Sequence, residues 1–585
     1  MRKFLVRFLA AIGALAIIYV IVIAVLLTGR KPHVPGKAIL EVNLEQPMVE
    51  YVPNQPFLQV MMKDRLVVRD VVDALDRAAD DTRVAGLVAR VGSEQMGMAE
   101  VQEIREAVQR FRAKKKFAVA FAETFGEVGP GNKSYYLATA FDHIYLQPSG
   151  DIGLTGLMLE SPFISGTLQK LGLPFHGDHR YEYKSALNTF TEKKYTPAER
   201  EENTAILNSW FTQMQEGICN ARGIPKDQWQ SLVDHGPYLG KEGLDAKLVD
   251  GLAYRDEVYD QVKKKAGEGA QFLYLTKYLE GAGRPHQRGK TVALIYGVGA
   301  VQRGKSNFDA LTGGGGMGSD TVTAAFRAAI DDKDVKAILF RVDSPGGSYV
   351  ASDAIWREVA LARKAGKPVI VSMGDLAGSG GYFVAMDADK IVAQPGTITA
   401  SIGVLGGKFL SSGFWKKVGF SWDQVHEGAN ATMWTSTMDY SPQEWARFEA
   451  WLDRVYADFT TKVADGRHLP KDKVLQIAKG RIWSGSDAKN LGLVDDLGGF
   501  DEAISLVKKA IGVAPAEDVK IEVFPRKKSL LQSLLAGSPN NSEQEGAAAQ
   551  SRVGILDAVQ PFLKQLQAMG VGENEVLRMP VTSTE

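Results

Sequence analysis

The first hydrophobic feature of the chain is an uncharged, almost wholly apolar run from Phe8 to Thr28, with Arg2, Lys3 and Arg7 before it and Arg30 and Lys31 after it. About 20 apolar residues rising 1.5 Å each span the roughly 30 Å hydrocarbon core of a bilayer, so the run predicts a membrane-crossing helix. A cleaved leader has a shorter apolar stretch, about 7–15 residues, and a small-x-small exit. The exit here, Leu26-Leu27-Thr28-Gly29-Arg30, lacks that pattern, so a retained signal-anchor is expected. More basic groups precede the run than follow it, which keeps the N-terminus cytoplasmic and the body outside, periplasmic on the inner membrane of a Gram-negative cell.

Beyond the linker Pro32-His-Val-Pro-Gly36, the pattern is written twice. Helical apolar spacing over Val71–Asp81 recurs over Val322–Asp332, and each stretch runs into a short apolar strand, Ala85–Val91 and Ala337–Val342. Tyr135 to Pro148 matches Tyr382 to Pro395 at a constant offset of 247 positions, and Tyr195-Thr-Pro197 pairs with Tyr440-Ser-Pro442. Chance similarity of amphipathic segments would not hold register over such a length. Short β-branched strands alternating with helices predict an α/β fold, a mixed or parallel sheet covered by helices, in tandem copies. The boundaries drawn are 1–36 (stub, anchor and linker), 37–284 (first copy), 285–525 (second copy) and 526–585 (tail), with Gly281–Pro285 as the joint. In the tail, residues 538–550 are of low complexity, and Ile555–Met569 has the spacing of one amphipathic helix, a packing or assembly face.

Composition narrows the class. Of 585 residues, 69 are Lys or Arg and 69 Asp or Glu, so there is no basic field to draw nucleic acid. The one cysteine, Cys219, excludes an intramolecular disulfide framework and a multi-cysteine zinc site, and reads as an idle buried thiol.

Chemistry emerges where the copies differ. The second contains Val342-Asp-Ser-Pro-Gly-Gly347 after one strand and Asp375-Leu-Ala-Gly-Ser379-Gly-Gly-Tyr382 after another, predicted at Pro368–Met373. A Gly-Ser-Gly-Gly turn entering a helix suits a nucleophile: the glycines permit a sharp bend and close approach, and the helix start offers N–H groups and partial positive charge. Gly380 N–H and a donor from the Gly346-Gly347 turn are candidates to hold an oxyanion. In the first copy Ser379 is matched by Asn132 and Pro-Gly-Gly by Glu94-Gln-Met, so the nucleophile and its cradle occur once. A serine hydroxyl needs a base. His426 and His468 sit in no recognisable motif, whereas a desolvated lysine can serve, because burial lowers its pKa toward neutrality. Lys184, in Tyr181-Glu-Tyr-Lys-Ser-Ala186, is the candidate, and no lysine occurs anywhere from 418 to 461, the equivalent place in the second copy. Each copy holds the half that the other lacks.

Tyr183-Lys184-Ser185-Ala186, Asp343-Ser-Pro-Gly-Gly347, Gly378-Ser379-Gly-Gly-Tyr382 and Thr399-x-Ser401-Ile-Gly403 resemble the motif set of the signal peptide peptidase A (protease IV) family in its long, duplicated Gram-negative form. The likeness covers roughly residues 1–530; Gly378 departs from it where alanine is frequent. The resemblance implies Ser379 as nucleophile, Lys184 as general base and Ser401 as the residue orienting the lysine. It also implies a ClpP/crotonase-type fold in each copy, a membrane-tethered homotetramer, signal-peptide and other apolar peptide substrates, and no metal or cofactor. Tyr135 and Tyr382 recur in both copies and read as core.

Three other readings compete with a protease. Gly299-Ala-Val-Gln-Arg-Gly-Lys-Ser306 has the phosphate-loop spacing after a strand at Val292–Tyr296, but four glycines (Gly313–Gly316) follow closely and no useful helix fits. A crotonase-like acyl-CoA enzyme would need acidic residues that no matched position supplies. A non-enzymatic membrane scaffold would be expected to lose one member of the Ser–Lys set.

Overall fold

A computed structural model describes residues 31–53, 62, 65–92, 95–308, 315–526, 577–578 and 583–584. The apolar run at Phe8–Thr28, Glu94, the low-complexity stretch and the helix expected at Ile555–Met569 lie outside them. Among the described residues no helix is long and apolar enough to cross a membrane.

The fold is mixed α/β, and the duplication is visible strand by strand. Six parallel strands form the first sheet, in the order Gly251–Leu252, His143–Leu146, Phe117–Ala122, Val84–Arg90, Ala38–Asn43, Gln271–Tyr274. The second sheet repeats that path as Asp496–Leu497, Lys390–Ala393, Val369–Gly378, Val335–Ser344, Lys290–Val298, Val519–Val523. It adds Ile398–Ala400 beside Val369–Gly378, and Ile482–Ser484 antiparallel to that. Parallel strands covered on both faces need near-continuous apolar runs, and Val369-Ile-Val-Ser-Met373 and Ala337-Ile-Leu-Phe340 are buried throughout.

The long helices are twins as well. Pro197–Arg222 and Pro442–Arg467 each have 26 residues, proline in the first turn and a hydroxyl cap, Thr196 or Ser441, accepting from the N–H of Glu199 or Glu444. Tyr135 and Tyr382 are core, with hydroxyls donating to Leu248 O (2.7 Å) and Leu493 O (2.9 Å). The helices at Val68–Ala79 and Ser319–Asp331 and the strands at Val84–Arg90 and Val335–Ser344 fall where the periodicity put them, within a few residues. The larger correction concerns the strand predicted to end at Met373. It continues to Gly378, because Leu376, Ala377 and Gly378 pair with Ile398, Thr399 and Ala400. Nucleotide binding at the Gly299–Ser306 turn has no support: among the described residues, a strand at Asn307–Phe308 follows the serine, and the next helix begins at Ser319.

Several contacts lock the halves together. The strand Phe175–Arg180 pairs antiparallel with Val404–Phe409, from Arg180 opposite Val404 to Phe175 opposite Phe409. The helix Met98–Ala113 of the first half lies against the second: Asp375 Oδ1 accepts from the N–H groups of Ala99 (2.7 Å) and Glu100 (3.1 Å), capping it from outside. On the same helix Gln102 Oε1 accepts from Gly396 N (2.7 Å). Arg341, with no exposed surface, bridges Glu50 (2.6 Å) and Glu103 (2.8 Å) across the joint.

Candidate active site

Ser379 leaves the long strand in a conformation unusual for a non-glycine residue, φ 54° and ψ −115°. Ala400 and Ser401, on the neighbouring strand's exit, also have positive φ, 65° and 51°. Backbone of this kind persists only where the surroundings over-determine it. Here Ser379 N donates to Ala400 O (2.7 Å), Ser401 N to Arg481 O (2.9 Å) and Thr399 Oγ1 to Ala377 O (2.8 Å). These bonds fix the backbone that carries Ser379 and Ser401.

Lys184 arrives from the first half. The ladder between Phe175–Arg180 and Val404–Phe409 delivers its segment, and Tyr183 N donates to Lys479 O (3.2 Å) in the turn ahead of Ile482–Ser484. Lys184 Nζ then lies 2.8 Å from Ser379 Oγ, 2.9 Å from Ser401 O and 3.0 Å from Ser401 Oγ. Ser401 Oγ in turn donates to Gly480 O (3.3 Å), which leaves its lone pairs for the lysine. All three side chains have no exposed surface. Burial holds the Lys184 amine well below the ordinary lysine range, with Glu202 pulling weakly the other way. All three neighbours of Nζ are oxygens; when the amine is uncharged, two N–H groups serve the Ser401 oxygens and the lone pair faces the Ser379 hydroxyl.

The helix after Ser379 is short, Gly380–Phe383, so its macrodipole adds little, and any anion site here rests on individual N–H groups. Gly380 has no room for a side chain: a Cβ there would stand 2.7 Å from Ser352 Oγ and 3.0 Å from Gly347 N. That close approach puts the Gly346-Gly347 turn directly beside the residue after the serine. Asp343 couples the two turns, its Oδ1 accepting from Leu376 N (2.9 Å); burial, with Glu50 and Asp375 nearby, pushes its carboxyl up to about 8.

The corresponding place in the first half is filled. Asn132 is buried, donates to Gly156 O (2.9 Å) and accepts from the N–H groups of Thr155 and Gly156 (3.1 Å each). Its amide is engaged by backbone through both its nitrogen and its oxygen. Cys219 is buried in the first half's core, where desolvation raises its thiol pKa.

Sequence reasoning missed Glu202. It has no exposed surface, accepts from Ser185 Oγ (2.8 Å) and Ile482 N (3.2 Å), and has its carboxyl pushed up to about 8 by burial. A signal existed: Glu199, Glu202, Ile206, Trp210 and Met214 form one helical stripe, so Glu202 falls on an apolar face.

A buried serine hydroxyl set against a buried amine, beside a diglycine turn and shared between duplicated α/β halves, defines the class as a serine hydrolase. The Peptidase family S49 model matches residues 110–268 and 361–514, one segment in each half. The chain is 32% identical to Protease 4 of Salmonella typhi, covering 80% of this chain and 75% of that one. It is 30% identical to the chloroplastic serine protease SPPA of Arabidopsis thaliana, over 79% of this chain and 68% of that one. A shorter stretch, 31% of this chain and 52% of its counterpart, is 34% identical to a putative signal peptide peptidase SppA of Enterococcus faecium. The chain belongs to peptidase family S49 and is a serine peptidase.

Proposed function

We propose that this serine peptidase cleaves peptide bonds by a Ser379–Lys184 dyad, and that its substrates are signal peptides and other apolar segments left in or near a membrane. The observation that carries the reading is the 2.8 Å approach of Lys184 Nζ to Ser379 Oγ, both wholly buried. Uncharged Lys184 takes the hydroxyl proton as Ser379 Oγ attacks the carbonyl carbon. The oxyanion is held by N–H groups of Gly380 and Gly347. Lys184 then gives the proton to the leaving amine as the C–N bond breaks. Water, deprotonated by the same amine, then attacks the acyl carbon, and as the ester C–O bond breaks Lys184 returns that proton to Ser379 Oγ. Ser401 orients the amine with its two oxygens.

An extended peptide suits the site. The backbone of Leu577–Arg578 pairs antiparallel with Gly346–Gly347, which supports a reading in which a substrate strand docks on the same turn. The finer points of the family likeness are part of this proposal: ClpP/crotonase-type units at 37–284 and 285–525, a homotetramer, and a signal-anchor at Phe8–Thr28 that sets the body on the periplasmic face of the inner membrane. The relative described as a putative signal peptide peptidase supports the substrate class. The test is hydrolysis of a synthetic signal peptide in detergent micelles, with products mapped by mass spectrometry. Cleavage within the apolar stretch, lost in Ser379→Ala, is expected; a Ser379→Ala protein as active as the parent contradicts the mechanism.

A further inference from the structure

Glu202 is a second buried ionisable group next to the dyad, and the mechanism above does not use it. Its carboxyl joins two segments that must meet for the dyad to form. One oxygen accepts from Ser185, the residue after Lys184; the other accepts from the N–H of Ile482, on the serine-bearing half. Ile482 follows Arg481, whose carbonyl anchors Ser401 N, and Gly480, whose carbonyl accepts from Ser401 Oγ. The clamp therefore runs from the lysine's neighbour to the turn that supports the lysine's orienting serine. The twin helix provides a comparison within the molecule. With Pro197 matched to Pro442, Glu199 is matched by Glu444, a glutamate in both, but Glu202 is matched by Arg447, which is exposed. The carboxyl is present and buried only in the half that carries Lys184.

We propose that Glu202 is a positioning residue for Lys184: it pins the lysine segment to the serine half and, once ionised, supplies the charge opposite the lysinium that forms as Ser379 loses its proton. The inference rests on the Ser379–Lys184 reading. No proton passes through Glu202; the proton of Ser379 goes to Lys184 Nζ and from there to the leaving amine. The charged groups around the carboxyl are Lys184 in its own half, Arg481 beside Ile482 across the joint, and Glu199 one turn back on its own helix. Burial opposes ionisation of the carboxyl, whereas the bonds from Ser185 and Ile482 favour it, and the balance puts its titration at about pH 8. Below that pH the carboxyl is neutral and offers the lysinium no opposite charge. Above it, a carboxylate stabilises the positive charge that develops on the lysine, so kcat gains a second, alkaline step on the order of tenfold, the scale of a charge–charge interaction in a partly dry site.

The test is the pH profile of kcat for peptide-ester hydrolysis by full-length protein, comparing wild type with Glu202→Gln and Ser185→Ala. Glu202→Gln keeps a side chain that can accept from Ile482 N–H but cannot ionise, so the alkaline step is expected to vanish while the acid limb remains. Ser185→Ala removes one bond favouring the carboxylate, so the step is expected to move to higher pH; this variant carries the test if Glu202→Gln does not fold. A merely structural role would lower the whole profile without changing its shape, and that result overturns the proposal. So does a step that persists unmoved in both variants. Ser379→Ala is run alongside: if it keeps wild-type activity, the Ser–Lys reading fails and the Glu202 proposal fails with it; if it is inactive while the alkaline step persists unmoved in both variants, the Glu202 proposal fails alone.

Discussion

At the scale of single residues, the burial of Lys184 has a consequence beyond rate. Its folded pKa lies below the ordinary lysine value near 10.5, so between the two the unfolded chain binds more protons than the folded one. Stability contributed by this residue therefore rises with pH across that window and is lost as pH falls toward the folded pKa. Lys184→Met removes the dependence. In thermal unfolding, the melting temperature of wild type relative to Lys184→Met is expected to climb as pH is raised from 7 to 10, by the equivalent of about 1.4 kcal/mol per unit of pKa depression over the full window; a pH-independent difference would contradict a depressed lysine. The same substitution is expected to lower kcat by at least about 100-fold, the low end for loss of a general base. Ser401→Ala keeps the carbonyl contact to Nζ and loses only the hydroxyl, so a fall of about three- to tenfold is expected, the worth of one neutral hydrogen bond. That Ser379 and Lys184 approach each other could be expected from the sequence, because the duplication supplies an internal comparison, an asparagine in one place and an absence of lysine in the other. Glu202 was not legible, since a glutamate on a charged helix announces itself only through its place on an apolar stripe.

At the scale of elements, the Ser379–Lys184 contact depends on one antiparallel ladder between halves. Phe175-His-Gly-Asp-His-Arg180 has neither the β-branched content nor the alternation of a strand, and every residue in it is half-buried. Nothing local marks it as a strand; its partner Val404–Phe409 makes it one, which is why the sequence does not reveal it. Gly177 sits where a Cβ would come within 2.2 Å of Gly406 O. Gly177→Val is expected to spread or shift this ladder and withdraw the lysine while leaving both parallel sheets intact. Misplacement by about 1 Å costs on the order of 100-fold in rate, so kcat should fall by that much with unchanged far-UV circular dichroism; near-wild-type activity would show that the ladder does not set the dyad. The two parallel sheets, by contrast, could be read from their apolar runs, although the strand leading to Ser379 was drawn too short because Asp375-Leu-Ala-Gly378 has a polar, glycine-ended look and gains its strand character from Ile398–Ala400.

At the scale of the whole molecule, the lysine and serine that meet come from different halves of the same chain. Mixing Ser379→Ala with Lys184→Met protein, by co-expression or by subunit exchange, is therefore expected to restore no activity. Recovery toward a quarter of wild type would mean that the working pair forms between subunits. The buried Arg341–Glu50–Glu103 cluster and the Asp375 cap on Met98–Ala113 hold the halves in this arrangement, and none of those contacts follows from either repeat alone. The most direct measurement of the central claim is labelling of full-length protein with a fluorophosphonate, followed by mass-spectrometric mapping, in wild type and in Lys184→Met. A single adduct on Ser379 that disappears in Lys184→Met is the predicted result; an adduct on another residue, or Ser379 labelled equally fast without the lysine, would contradict it.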